Sequence, residues 1–364
     1  MERAYARARE LCQQVDEISQ LTPVLFGLWR YYVAQAQLHT AREVGETLLR
    51  MAQRVYDPSL SVVAHYTLGA TWLWLGALPA ARMHLEEGIT HYTPDQRRAP
   101  VFRIGQDLGV GCRVYAAWTL WLLGYPAQAL AHIHDALALA HELSHPYSLA
   151  FAQAVGVYVY QFCRDIILAV HKHAEAAVAL STEQSFPLWT GAGMSWRGWA
   201  LIMRDQDEEG LVQVREGIAI WRASGAVLSV PYFGTALAEA SAHLGYTEEG
   251  LQALTEAHTL MEQHEERWWE AEIYRLRGVL LLRQTGTPQA EAEACFQRAL
   301  DVARRQQAKS LELRAAMSLA RLWQQQGKRQ AAYELLAPIY GWFTEGFDTA
   351  DLQEAQALLE ELSP

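Results

Sequence analysis

The chain has 364 residues, 51% of them hydrophobic and 20% charged, with a formal net charge of −11. That acidity disfavours nucleic acid as a partner, because phosphate neutralisation needs clustered cations. No run approaches 18 uncharged apolar residues, so no membrane partner is expected. The amphipathic start Met1-Glu2-Arg3-Ala4-Tyr5-Ala6-Arg7 lacks an apolar secretion segment, which makes the cytoplasm the default. Cys12, Cys112, Cys163 and Cys295 are widely spaced and fit no zinc or redox motif.

Taken in chain order, residues 1–20 predict an orphan second helix whose first helix is missing, so the chain starts mid-repeat. Either it was cut from a longer protein or this helix is a cap. Repeats fill 21–346. One unit reads His65-x-x-Leu68-Gly69-x-x-Trp72, then Gly76, Ala81-x-x-x-Leu85, Gly88 and Pro94. This is close to the tetratricopeptide (TPR) spacing. Equivalent positions are Trp29, Gly69, Ala117, Val157, Gly198, Ala238, Gly278 and Ala320, spaced by about 40 residues. Turn glycines fall at Gly76, Gly124, Gly245, Gly286 and Gly327.

Second helices carry small residues seven apart, as in Ala81/Gly88, Ala129/Ala136 and Gly210/Gly217. Such pairs share a helix face and allow close approach within a hairpin. One interval is longer and marks an insertion at about 93–108, open to a functional reading or to that of a tolerated surface loop. Residues 347–364 predict a closing helix with Asp348 as N-cap, Asp351 in its first turn, and Leu352, Leu358, Leu359 and Leu362 facing the stack. The expected fold is all-α: a TPR-like right-handed superhelical solenoid of about seven to eight helical hairpins with a C-terminal cap helix, forming one domain over 1–364.

First helices of such repeats line the concave face. The corresponding positions give Phe26 and Arg30, Tyr66 and Trp74, Trp118 and Trp121, Phe151, Tyr158 and Phe162, Trp199 and Met203, Tyr232 and Glu239. They turn polar at Glu272, Arg275 and Arg283. Aromatic side chains offer large contact area at small entropic cost. Arg30, Tyr66, Trp74, Trp118, Trp121, Tyr158, Phe162 and Trp199 are therefore candidates for a ligand-binding groove, with Arg113, Arg164 and Arg197 as further donors. The competing reading is a tight superhelix that buries the rings.

Catalytic signatures are weak. His141-Glu142-Leu143-Ser144-His145 has two histidines four apart, a zinc-chelating spacing, but Pro146 follows and no third ligand is near. His132-x-His134 and His171-x-His173 are further pairs. There is no G-x-S-x-G and no Walker A loop, and no motif calls for a cofactor.

Gly105-Gln106-Asp107-Leu108-Gly109-Val110, Ala127-Gln128-Ala129-Leu130, Arg267-Trp268-Trp269-Glu270-Ala271-Glu272, Glu293-Ala294-Cys295-Phe296-Gln297-Arg298-Ala299-Leu300 and Gly341-Trp342-Phe343-Thr344-Glu345-Gly346-Phe347 together resemble a known family region. They are similar to the C-terminal TPR region of bacterial signalling proteins in which an adenylate/guanylate cyclase or kinase domain precedes a STAND/AAA ATPase. More remotely, they resemble the helical sensor of MalT-like activators. The resemblance implies a non-enzymatic sensor or interaction module. Its partners would be a protein, a peptide or a small-molecule effector, together with an upstream ATPase or cyclase domain. A self-association scaffold with a homo-oligomeric state is one alternative. A metal-dependent hydrolase around His141 is the alternative from another class.

Overall fold

The computed structural model describes residues 18–93, 105–163, 167–284 and 289–363. Among these residues there are seventeen helices and no strand. They pair into eight hairpins: α1 (Ile18–Ala34) with α2 (Leu38–Val55), α3 (Pro58–Trp74) with α4 (Leu78–His91), α5 (Leu108–Leu122) with α6 (Pro126–Leu143), and α7 (Pro146–Cys163) with α8 (Ile167–Glu183). The second half continues with α9 (Pro187–Ile202) and α10 (Asp207–Ala223), α11 (Val230–His243) and α12 (Thr247–His264), α13 (Glu270–Arg283) and α14 (Gln289–Gln306), and α15 (Lys309–Gln325) and α16 (Arg329–Tyr340). The closing helix is α17 (Ala350–Leu362). All eight repeat anchors fall in first helices, and the fold is the expected TPR-like solenoid.

The chain marks its own corners. Helices α3, α6, α7 and α9 begin with proline at the first position, where the missing N–H costs nothing. Asp57 and Asp107 cap α3 and α5, accepting from the N–H groups of Ser59 and Val110 at 2.8 Å each. Gly76, Gly124, Gly245 and Gly327 close first helices in the left-handed region, as the turn signals predict. Ala36 and Asp205 do so in the first and fifth hairpins without glycine. Gly286, residues 1–17 of the expected orphan helix 1–20 and most of the insertion lie outside the described residues, while residues 18–20 belong to α1.

First helices form the inner layer. Helix α5 buries every residue from Leu108 to Leu122 except Arg113, and α7 is buried throughout from Ala150 to Cys163. An inner helix touched on all sides has no polar stripe, which is why these segments read as continuous apolar runs. Second helices bury only one stripe, such as Ala129, Ile133, Ala136, Leu139 and Ala140 on α6.

The closing helix departs from expectation at its start. Thr349, not Asp348, is the residue before its first turn, and the Thr349 hydroxyl donates back to the Gly346 carbonyl at 2.7 Å. Asp351 is not simply complementing the helix dipole. It is buried, and it receives the Arg314 Nε proton at 2.6 Å.

Small residues set the hairpin spacing. A Cβ on Gly198 would lie 2.5 Å from the Gly210 carbonyl oxygen, and one on Gly217 would lie 2.5 Å from the Ser195 nitrogen. Here two backbones touch. By contrast, a Cβ on Gly156 meets nothing closer than Ile133 at 3.5 Å. Helix propensity favours alanine at both sites by about 1 kcal/mol, so packing decides the sign. Gly156→Ala should stabilise by about 0.5–1 kcal/mol, whereas Gly198→Ala should destabilise by about 1–3 kcal/mol through overpacking. Urea midpoints of the two variants check this; a rise in both would show that α9 and α10 are not in backbone contact.

Candidate functional site

The superhelix winds tightly enough that successive turns touch. The carbonyl of Ala34, at the end of α1, accepts from the Val227 N–H at 2.7 Å. That of Trp74, ending α3, accepts from the Arg267 N–H at 2.8 Å. The Trp121 carbonyl accepts from the Ser310 hydroxyl at 2.5 Å, and the Phe162 carbonyl from the Arg314 guanidinium at 2.6 Å. The last carbonyls of a helix have no partner within it. Four successive first helices find a donor across the seam, and the Trp121 carbonyl also accepts locally from the Gly124 N–H at 3.0 Å.

Rings fill the axis inside this seam. Trp118 stacks between Tyr158 (centroids 4.5 Å apart) and Trp268 (5.2 Å). Trp121 stacks on Phe162 at 4.5 Å, and Phe162 on Trp269 at 5.0 Å. The open aromatic groove expected from the first-helix positions is therefore largely occupied by the protein itself. Trp118, Trp121, Tyr158, Phe162, Trp199, Tyr66 and Trp74 are all buried.

A pocket of about 120 Å³ remains at the N-terminal end of this column. Five of the eight candidate residues line it: Arg30, Tyr66, Trp74, Trp118 and Tyr158. Trp29, Tyr115, Tyr147, Phe151, Trp189 and Trp221 complete the aromatic wall, and Ala226, Leu228 and Ser229 close it from the α10–α11 loop. Arg30, Ala34, Tyr147 and Leu188 are partly exposed and form the mouth. The Arg30 guanidinium lies over the Tyr147 ring, 5.2 Å from its centroid, and donates to the Tyr147 hydroxyl.

The other candidates part company with this pocket. Trp121 and Phe162 belong to the solid column below it. Trp199 borders a separate cleft of about 310 Å³ with Met203, Glu239, Arg275 and Arg283, and its indole N–H donates to Glu239 at 3.0 Å. Arg113 and Arg197 turn toward their own hairpins, donating to the Gly109 carbonyl and to Gln213. Arg164 lies outside the described residues. Of the polar positions in the last units, Glu272 and Arg275 are buried while Arg283 is exposed at the cleft: Arg275 makes a two-pronged pair with Glu272 at 2.7 and 2.8 Å, and Arg314 approaches Glu272 at 3.6 Å.

The hydrolase alternative is not assembled. His141 sits on the exposed last turn of α6, while His145 lies beyond the helix end and shares a hydrogen bond with Ser148 at 2.9 Å. The two therefore do not share a helix face. Among the described residues, no group of three or more His, Cys, Asp or Glu side chains stands close enough to hold a metal ion.

Sequence reasoning missed Trp29, Tyr115, Trp189 and the closing wall at Ala226–Ser229. A signal was present in Trp268-Trp269, two adjacent indoles at a helix start, where a surface turn has no use for them.

Glu266 ties the wall together. It is buried and accepts from the Ser229 N–H at 3.0 Å and from the Trp268 indole at 3.0 Å. Burial outweighs these hydrogen bonds and pushes its carboxyl up to about 7.

No family model matches the chain. It is 23% identical over 325 residues to an uncharacterized protein of Rhizobium meliloti, an alignment covering 88% of this chain and 31% of that protein. The chain thus spans less than a third of that relative's length. Among solved structures it is similar to a Rap protein complexed with Competence and Sporulation Factor, with a TM-score of 0.61, 11% identity, and 94% and 97% of the two chains covered. It is also similar to the apo quorum sensor NprR of B. thuringiensis (TM-score 0.52, 12% identity, 93% and 92% covered). Human IFIT1, solved as a dimer with m7Gppp-AAAA, gives a TM-score of 0.53 at 12% identity, with 99% and 76% covered. These likenesses establish the helical-repeat fold.

The Glu266 carboxyl gives a pH prediction with a defined sign. Its folded value lies above the ordinary 4.5, so the folded state holds the proton more tightly than the unfolded one. The contribution is present below about pH 4.5 and is lost as pH rises through about 7. Its full span is on the order of 3 kcal/mol. Melting temperatures of the wild type and Glu266→Gln between pH 5 and 8 should diverge, with the variant gaining relative stability as pH rises. Parallel curves would show that Glu266 stays ionised.

Proposed function

We propose that this chain is a non-catalytic sensor module in which occupancy of the Arg30–Trp118 pocket holds the superhelix shut. The observation that carries this reading is the origin of the walls. Helices α1, α3, α5, α7 and α9 line it together with Trp221 of α10 and the α10–α11 loop, and that loop is hydrogen-bonded across the seam to the end of α1, so the pocket straddles the seam between superhelical turns. A ligand touching both sides binds the closed state and not an opened one, which is the differential affinity that a switch requires. The ligand is a small effector or a side chain of a partner peptide. The cavity is slightly smaller than the 150 Å³ engineered cavity that accepts benzene.

The resemblance to TPR regions that follow ATPase and cyclase domains supports a regulatory output. So does a relative three times longer than the aligned segment. On this reading, seam closure is passed to an attached or partner ATPase or cyclase. Arrangements with the same helical fold include a Rap protein complexed with Competence and Sporulation Factor and a quorum sensor, which fits a role in ligand reception.

The test is a thermal-shift and tryptophan-fluorescence screen of small aromatic compounds and short peptides against the whole chain. A true effector raises the melting temperature, by about 2.7 kcal/mol of stabilisation at one hundred times its Kd. It also slows hydrogen exchange at the seam amides Val227 and Arg267. Ala226→Phe, which fills the pocket from one wall, should abolish both effects while leaving the helical circular dichroism unchanged. Hits indifferent to Ala226→Phe would sink the reading.

A further inference from the structure

The polar groups facing the pocket are unbalanced. Arg30 is the one charged residue among its lining residues, and no carboxylate lines it. Among the described residues no Asp or Glu pairs with Arg30, although the chain as a whole is acidic. A guanidinium carries five N–H donors, and one of them is used, on Tyr147. The guanidinium carbon also lies 5.2 Å over the Tyr147 ring, so two contacts with one tyrosine hold the group at the mouth. Of the hydroxyls lining it, Tyr147 already accepts from Arg30 and Tyr66 from Gln106 at 3.2 Å.

From this donor surplus we infer that the pocket takes a small planar carboxylate, its ring against the edges of Trp118 and Tyr158 and its carboxylate on Arg30. The inference rests on the sensor reading above and names the ligand class for the same pocket. Three features favour a carboxylate over other anions. It is flat, so it matches the fork of a fixed guanidinium two-prongedly. It carries one charge, which one arginine balances. It brings acceptors and no donors, which suits the guanidinium N–H groups that Tyr147 leaves free. The apolar walls then require that the rest of the ligand be a ring or a compact hydrocarbon. Size agrees, since the cavity has room for about one benzene ring.

Benzoate, benzamide and benzamidine test this, because they share one shape and differ in charge. Their affinities for the whole chain are read by tryptophan fluorescence and calorimetry. Benzoate should bind at least about tenfold more tightly than benzamide, the effect of one charge-assisted hydrogen bond, and benzamidine most weakly. Arg30→Gln should bring benzoate and benzamide level, and Arg30→Lys should recover part of the preference. If Arg30→Gln does not fold, the wild-type ratio alone decides. Equal, Ala226→Phe-sensitive binding of benzoate and benzamide would overturn the carboxylate assignment and leave the pocket reading standing. No binding of any of the three at millimolar concentration would overturn both.

Discussion

The structure turns on four carbonyl groups. Those of Ala34, Trp74, Trp121 and Phe162 lie at the ends of successive first helices and accept across the seam from Val227, Arg267, Ser310 and Arg314. Each such bond contributes a net 0.5–1.5 kcal/mol or so, while each buried carbonyl left without a donor costs about 1–3 kcal/mol. The seam is thus held less by attraction than by the penalty for opening it dry. Without it the solenoid is an open spiral whose neighbours touch only in sequence order. With it, residues nearly 200 apart share one aromatic column.

Arg314 shows how much rests on one such contact. It is buried, donates to Asp351 at 2.6 Å and to the Phe162 carbonyl, approaches Glu272, and lies 4.8 Å over the Trp121 ring. Four elements, α5, α7, α13 and α17, meet on one guanidinium. Burying these charges is expensive, and apolar replacements of like volume are often neutral or better for stability. What the apolar version lacks is direction. A Leu or Met at position 314 fills space in any register, whereas a planar fork with fixed acceptors accepts one. The seam therefore has a definite closed geometry for a ligand to select.

The local levels of this fold were legible in the sequence, and the superhelical level was not. Gly69, Gly198 and Gly278 recur because hairpin packing recurs, and a repeat of about 40 residues announces that plainly. Proline at helix starts and glycine at Gly76, Gly124, Gly245 and Gly327 announce the turns. The pitch of the superhelix has no such signature. It follows from small rotations at each interface, set by side-chain volumes that differ from unit to unit. Hence Tyr66, Trp118 and Tyr158 were recognisable as inward-facing, yet nothing in their spacing said that Trp268 would stack on Trp118 and fill most of the groove. Ala226, Leu228 and Ser229 could not be found at all. They sit in a loop whose role depends wholly on which turn lies above it. Arg275 and Glu272 read as a polar groove for the same reason: burial across the seam is invisible from within one repeat.

That closure bears on how such a module can signal. A solenoid with an open groove binds by adding contacts to a surface that hardly changes. Here the ligand space is what the protein's own rings leave over, so the ligand and the closed state are defined together. If opening the seam costs only a few kcal/mol, the open form is a minor but populated state of the empty molecule. Carrying an equilibrium all the way from 1:99 to 99:1 takes about 5.5 kcal/mol of differential affinity, and a partly closed population needs less. An apolar ring transferred from water supplies about 25 cal/mol per Å² of area buried, and a carboxylate on a prepositioned arginine adds a charge-assisted bond. Together these reach the needed range for a molecule no larger than the pocket. A ligand placed on the outer face of α6 or α8, touching a single turn, would bind open and closed forms alike and shift nothing, however tightly it bound.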